Sequence, residues 1–263
     1  MSEVPMAQLA YGRGNAVARP PSKRMRAAFD HAWAAAGWAA SGQMSTVVAL
    51  VDTRQWLPWL SEAKNLLDPA ETMRAERRRI IADREALVLA YALHRLLLGA
   101  ILTMGPMAVP LFRDARGCPR VANCDIHTSL SHADGHVALA VSAVGPVGID
   151  IEPATRTAVM AEISASVCHP AEAAALAGLS EPDRSAALLA LWVRKEAVLK
   201  AAGIGLMREM ASFEAPADSC PRLPWLPGGA CRIRMLDAGE TWVAAVASAA
   251  DVSVSTIWLH PLQ

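Results

Sequence analysis

The spacing of apolar and polar positions changes character several times along the chain. The unbroken apolar run Val47-Val48-Ala49-Leu50-Val51, closed by Asp52, has the length and β-branched content of a buried strand. Asp68-Pro69-Ala70-Glu71 then has the residue order of a helix start, with Asp as N-cap, Pro at the first helical position and an acid in the first turn. Helical spacing continues from there to Leu98, first through charged positions (Arg74, Arg77, Arg78, Arg79, Arg84) and then through Leu87, Tyr91, His94 and Leu98. After Gly105-Pro106 the texture shifts to short segments separated by Gly, Pro, Asn and Asp. Leu111-Phe112-Arg113, the turn Arg116-Gly117-Cys118-Pro119 and Val121 predict a hairpin, and strands follow at 125–131, 137–141 and 147–151. Beyond Pro153 helices return at 170–177 and from Ser180-Glu181-Pro182-Asp183 to Ala202. The chain closes with strands at 231–235, 241–247 and 252–259.

Both parts of the chain therefore mix helices with antiparallel strand segments. The predicted fold class is α+β, a pseudo-two-fold pair of similar α+β halves, each a small antiparallel sheet packed with helices. The expected division is an N-terminal extension over 1–45, partly disordered or helical, a first half over 46–146, and a second half over 147–263. Within the extension, Arg19-Pro20-Pro21-Ser22-Lys23 excludes regular structure, while the Ala-rich piece from Phe29 to Ala40 predicts a helix.

Composition narrows the function classes. Lys and Arg total 25 and Asp and Glu total 25, so the chain has neither the basic excess of a nucleic-acid binder nor an acidic solvating tail. The 53% hydrophobic content is inflated by Ala, and no window holds the roughly 18 apolar residues a membrane span needs. The basic residues Lys23, Arg24 and Arg26 lead into no signal-peptide core. A cytoplasmic protein without membrane or nucleic-acid partners is expected. Five cysteines, odd in number and without a C-x-x-C pair, predict reduced thiols.

Three short constellations carry chemistry. In Gly148-Ile149-Asp150-Ile151-Glu152, strand alternation sends Ile149 and Ile151 to one face and Asp150 and Glu152 to the other. Adjacent carboxylates repel unless a cation lies between them, and Mg²⁺ is suited to one or two carboxylates plus phosphate oxygens. Taken by itself the same pentapeptide could equally be an acidic strand edge in water. In Trp192-Val193-Arg194-Lys195-Glu196-Ala197-Val198-Leu199-Lys200, the residues Trp192, Glu196 and Lys200 fall on one helical stripe, which adds a third carboxylate and a lysine able to meet a phosphate. Ser129-Leu130-Ser131-His132 lies between a strand and Asp134-Gly135, where a lone histidine is commonly an ordinary hydrogen-bonding residue. Cys124, His127, His132 and His136 match no zinc-ligand spacing.

In this order and spacing, Ser131-His132, Gly148-Ile149-Asp150-Ile151-Glu152 and Trp192-Val193-Arg194-Lys195-Glu196-Ala197-x-x-Lys200 resemble the surfactin-type, pseudo-dimeric 4′-phosphopantetheinyl transferases. The resemblance covers residues 46 to 250. Asp83-Arg84 through His94-Arg95 is similar to that family's N-terminal helix, and Gly117-Cys118-Pro119 to its Gly-Lys-Pro turn.

The resemblance implies a transferase of the holo-[acyl-carrier-protein] synthase type. It would move 4′-phosphopantetheine from coenzyme A to a serine of an acyl- or peptidyl-carrier protein, releasing adenosine 3′,5′-bisphosphate, and would act as a monomer with internal pseudo-symmetry. It implies Mg²⁺ on Asp150, Glu152 and Glu196, and coenzyme A held by Ser131 and His132, with the histidine near the 3′-phosphate. Lys200 would meet the pyrophosphate, and Arg74, Arg78 and Arg84 are the candidates for the 3′-phosphate. Phosphoryl transfer needs chiefly positioning and charge neutralisation. Glu196 is accordingly the candidate general base toward the carrier serine, and Lys200 neutralises the departing phosphate. Cys118 replaces the family's lysine, which leaves Arg116 and Arg120 as neighbouring cations, and Glu71 stands where some relatives carry a base. Two other classes share these residues: a non-catalytic relative that binds carrier or nucleotide, and a metal-dependent phosphohydrolase.

Overall fold

The apolar run at 47–51 is buried on both faces because its strand is central. In the structure, a computed structural model that describes residues 24–37 and 46–261, β1 (Thr46–Asp52) lies between β5 (His136–Ser142) and β9 (Val254–Trp258), and β4 (His127–Ala133) pairs the outer side of β5. β1 and β5 run antiparallel from Thr46↔Ser142 to Asp52↔His136. The β4–β5 hairpin turns through Asp134 and Gly135, both at positive φ (41° and 78°), as an Asp-Gly primed turn requires. β2 (Leu111–Arg113) and β3 (Pro119–Val121) form the small hairpin expected around Gly117. A second sheet, in the order β6 (Gly148–Pro153), β8 (Trp242–Ser248), β7 (Arg232–Leu236), is antiparallel throughout.

The α+β class expected from sequence holds, with one pairing that departs from an antiparallel sheet in each half. β9, expected in the second half, instead runs parallel to β1, from Thr46↔Val254 to Leu50↔Trp258. Parallel neighbours need a long crossover, and here everything from residue 53 to residue 253, the second sheet included, supplies it.

The two sheets meet face to face. Val48 and Leu50 of β1 and Ala138 and Ala140 of β5 share a core with Ile149 and Ile151 of β6 and Ala244 and Val246 of β8. The alternate residues face outward onto helices. Ala49 and Val51 pack in the core that contains α4 (Ile81–Ile101), whereas Ala245 and Ala247 pack in the core that contains α7 (Glu181–Ala202). Asp150 and Glu152, out of phase with Ile149 and Ile151, consequently lie on the α7 side of β6. Among the described residues no helix is long and apolar enough to cross a membrane.

The helix expected over 68–98 is two helices, α3 (Pro69–Glu76) and α4, separated by a turn. Asp68 and Glu71 form a capping box on α3, and both accept from the buried Arg95 of α4, at 2.7 Å each. In one continuous helix Glu71 and Arg95 would stand about 36 Å apart, at about 1.5 Å per residue. The ion pairs therefore require the chain to fold back. Like charges at helical spacing through Arg74, Arg77 and Arg78 further oppose a straight path. Glu71, noted above as a departure, is thus occupied in holding α3 to α4. The helix predicted at 29–40 begins earlier, at Met25, as α1 (Met25–Ala35), and puts Met25, Ala28, Phe29 and Ala32 into the core. The last residues of that predicted span, 38–40, lie outside the described residues.

Beside the Trp192–Glu196–Lys200 stripe of α7, Lys195 is fully buried. Its Nζ donates to the carbonyls of Val167 (2.7 Å), Met210 (2.8 Å) and Phe213 (2.7 Å), and it pairs with Glu172 at 2.5 Å. Val167 ends α5 (Thr157–Val167), and Glu172 belongs to α6 (Pro170–Leu176), where it also accepts from the Ala215 amide. One ammonium thus ties α7 to three separate segments. Lys195→Met should leave Glu172 without its counter-charge, remove a donor from three carbonyls and lower the unfolding free energy by about 3–5 kcal/mol. Denaturant unfolding checks this, and a loss below about 1 kcal/mol would contradict the structural role.

Candidate functional site

The site begins with a missing side chain. A Cβ on Gly148 would overlap the carbonyl oxygen of Ala197 and the amide nitrogen of Ala201, so α7 lies directly against β6 at this residue. That close seat brings the Glu196–Lys200 turn of α7 over Asp150, two residues along the strand. The helix stops just beyond, at Gly203, in the left-handed conformation (φ 66°) that glycine adopts without strain.

Asp150, Glu152, Glu196 and Lys200 line one cavity of about 400 Å³, together with Ser131, His132 and Leu130 of β4, Arg78, Tyr91, Arg113 and Trp192. At its floor Lys200 Nζ donates to Asp150 Oδ1 at 2.6 Å and to Ser131 Oγ at 2.9 Å, and Ser131 Oγ donates to the same carboxylate oxygen at 2.7 Å. Asp150 is almost fully buried, and its other oxygen, Oδ2, has no hydrogen-bond partner. Beside it, Arg156 pairs with Glu152 and stacks on Trp192, 4.7 Å from the ring centroid. Ser129 fastens β4 to β6 by accepting from the Ile149 amide at 3.2 Å, which keeps Ser131 against Asp150.

The electrostatics follow from crowding. Burial raises the Glu196 carboxyl above the ordinary glutamate range; Lys200 opposes that rise, and the nearby charges of Asp150 and Glu152 add to it. Burial likewise raises Glu152, against the pull of its Arg156 hydrogen bond. His132 is held down to about 4, first by burial and then by the positive charges of Arg78, Lys200 and Arg113. It is therefore neutral at pH 7.

Most of the residues singled out in the sequence converge here: Ser131, His132, Asp150, Glu152, Glu196, Lys200 and Arg78. Arg74 and Arg84 are not part of the lining. Arg74 lies over Tyr91 at 5.7 Å, with its Nε buried and unpartnered, one ring away from the cavity. Arg84 instead donates to the Arg78 carbonyl through Nε (3.3 Å) and Nη2 (3.0 Å), clamping the turn that carries Arg78. Arg116 and Arg120, the cations beside Cys118, lean on Gly203 at the end of α7; Arg116 donates to its carbonyl at 3.3 Å.

Sequence reasoning missed Arg113, Arg156 and Tyr91. Arg113 reaches the cavity from β2, opposite Pro119 of the Gly-Cys-Pro turn, and lies over Tyr91 at 5.2 Å. Its membership in that hairpin was the available signal. Arg156 stands four residues after Glu152, a spacing that could have marked it. Tyr91 sat within the apolar stripe of its helix and read as core.

The donor chemistry suits a hard divalent cation. Three carboxylates border one space, and a buried carboxylate oxygen has no partner, an arrangement costly for the protein alone. Among the described residues no three acids or histidines stand close enough to form a finished ligand cluster. Lys200 and Arg156 now draw Asp150 and Glu152 into ion pairs.

Comparison with known proteins agrees with this geometry. Residues 146–246, the segment from the start of β6 into β8, match the sequence model of the 4′-phosphopantetheinyl transferase superfamily. That segment carries both the acid strand β6 and α7. The chain is also similar to the 4′-phosphopantetheinyl transferase HetI of Nostoc sp. strain PCC 7120, being 27% identical over 153 residues. That match takes in 57% of this chain and 65% of the relative's length.

A titration of His132 by NMR should give a midpoint near 4. The sign follows from linkage. The unfolded chain protonates this group near 6.5 and the folded chain only near 4, so its contribution to stability is complete above 6.5 and is lost as pH falls toward 4. A midpoint at or above 6.5 would contradict the buried, cation-flanked setting.

Proposed function

We propose that this protein is a surfactin-type phosphopantetheinyl transferase that moves 4′-phosphopantetheine from coenzyme A to a serine of an acyl- or peptidyl-carrier protein. The observation that carries this reading is the single cavity in which Ser131, His132, Asp150, Glu152, Glu196 and Lys200 meet, the last four within the segment similar to the superfamily. Similarity to the Nostoc protein named as a 4′-phosphopantetheinyl transferase supports the same reading. A cytoplasmic monomer with two pseudo-symmetric halves belongs to the proposal, supported by two stacked sheets with a long helix on each outer side.

Asp150, Glu152 and Glu196 would hold Mg²⁺, which neutralises charge on the pyrophosphate. The chain's own residues supply the rest. Ser131 and His132 line the floor and wall where coenzyme A would lie, and His132, being neutral, offers one N–H donor. Arg78 and Arg113 border the same space and suit the nucleotide's 3′-phosphate; Arg74 backs them through Tyr91. Lys200 sets a positive point charge beside the pyrophosphate.

In the reaction the carrier's serine oxygen attacks the β-phosphorus. The bond from that phosphorus to the bridging oxygen of adenosine 3′,5′-bisphosphate breaks, and the serine proton is taken up by Glu196. A carboxylate beside the metal and open to the carrier serine can take that proton directly or through water. Because the nucleophile comes from the carrier, no serine of this chain needs activating. Ser131 fits that logic, since its hydroxyl is engaged in holding the floor, donating to Asp150 and accepting from the Lys200 ammonium.

Mass spectrometry of an apo-carrier incubated with the protein, Mg²⁺ and coenzyme A tests the proposal directly, since transfer adds phosphopantetheine to the carrier. Hydrolysis of coenzyme A without gain on the carrier would indicate a phosphohydrolase, and binding without either change a non-catalytic relative. Glu196→Gln and Asp150→Ala should each lower the transfer rate by about 10²-fold or more while leaving the circular dichroism spectrum unchanged. Transfer within about twofold of the unaltered protein in either variant would remove that residue from the proposed machinery.

A further inference from the structure

The turn between α3 and α4 ends on Ile80, and α4 opens on Ile81; the two are 62% and 67% exposed. Adjacent isoleucines held in water are unusual in a chain that buries its other aliphatic runs in three cores. They follow directly on Arg77, Arg78 and Arg79, all exposed, and among the described residues none of these three makes an ion pair. Arg78 turns into the cavity, whereas Arg77 and Arg79 are not part of its lining. The turn is also braced: Arg84 holds the Arg78 carbonyl, and Arg95 ties the start of α3 to α4. A preformed ridge of two exposed aliphatic side chains, directly preceded by exposed arginines, thus follows Arg78 of the cavity lining by two residues.

Resting on the transferase reading above, we propose that the 77–81 segment is the docking ridge for the carrier protein, and that it grips an acidic amphipathic face of that partner. The argument is complementarity. The reaction needs a macromolecule to press a serine into the cavity, so the partner must cover its rim. Ile80 and Ile81 enter an apolar patch on the partner, while Arg77 and Arg79 meet carboxylates around it, an apolar centre with a charged rim. Bracing by Arg84 reduces the ordering cost on association. The inward arginine serves the nucleotide and its outward neighbours serve the carrier, so one short turn addresses both substrates.

The test uses the full chain with Ile80→Ser/Ile81→Ser and, separately, Arg77→Glu/Arg79→Glu. All four positions are exposed, so both variants should keep the unfolding temperature of the unaltered protein. Each should raise KM for the apo-carrier about tenfold or more, with kcat and KM for coenzyme A within about twofold. The charge-reversal effect should shrink at high salt. An unchanged carrier KM overturns the ridge, and so does a parallel rise in KM for coenzyme A, which would assign the turn to the nucleotide alone. Calorimetric titration of carrier into protein reads the ridge without turnover. If the unaltered protein binds carrier but transfers nothing, and both variants bind it more weakly, the transferase reading fails and the ridge stands. Equal binding by all three overturns the ridge.

Discussion

The contact on which the site depends is the seat of α7 against β6 at Gly148. Backbone touches backbone there, with no side chain between strand and helix. Two residues further along the strand comes Asp150, and on the helix Glu196 and Lys200 flank the contact. Any residue with a Cβ at 148 would push the helix outward, and the 2.6 Å pair between Lys200 and Asp150 would open. Other features secure the seat from both ends. Lys195 pins α7 to α5, α6 and the 210–213 turn, and Arg116 holds the Gly203 carbonyl where the helix stops.

Charge is the second constraint. Three carboxylates around one cavity repel one another, and burial adds a desolvation cost. The protein offsets part of this with Lys200 on Asp150 and Arg156 on Glu152. Glu196 has no ion pair of this kind among the described residues, and burial raises its proton affinity. The opposite wall is cationic, with Arg78 and Arg113, and it adds to burial in keeping His132 neutral. The neutral overall balance of 25 against 25 therefore hides a cavity with an acidic floor and a basic wall, the polarity a metal-bridged polyphosphate would need.

Local signals in the sequence carried much of this. Period-two alternation assigned Ile149 and Ile151 to the core and Asp150 and Glu152 to the other face, and four-residue spacing aligned Trp192, Glu196 and Lys200. Such patterns depend only on the geometry of one element. What was not legible depends on contacts between elements distant in the chain. The break between α3 and α4 follows from Arg95 reaching back to Asp68 and Glu71, and helical spacing alone gave no sign of it. β9 read as a strand, but its parallel place beside β1 is decided by the packing of the two sheets. Arg113 enters the cavity only because the β2–β3 hairpin leans toward Tyr91, whereas Arg116 and Arg120, equally basic and closer to Cys118, are drawn to the end of α7.

The central claim is that α7 on β6 gathers Asp150, Glu152 and Glu196 around one divalent cation beside a coenzyme A site. A crystal structure of the protein with Mn²⁺ and coenzyme A, with the metal located by its anomalous signal, tests this most directly. The account predicts one strong peak at coordination distance from all three carboxylates, with the pyrophosphate beside Lys200. A peak elsewhere, or coenzyme A bound away from Ser131 and His132, would contradict it.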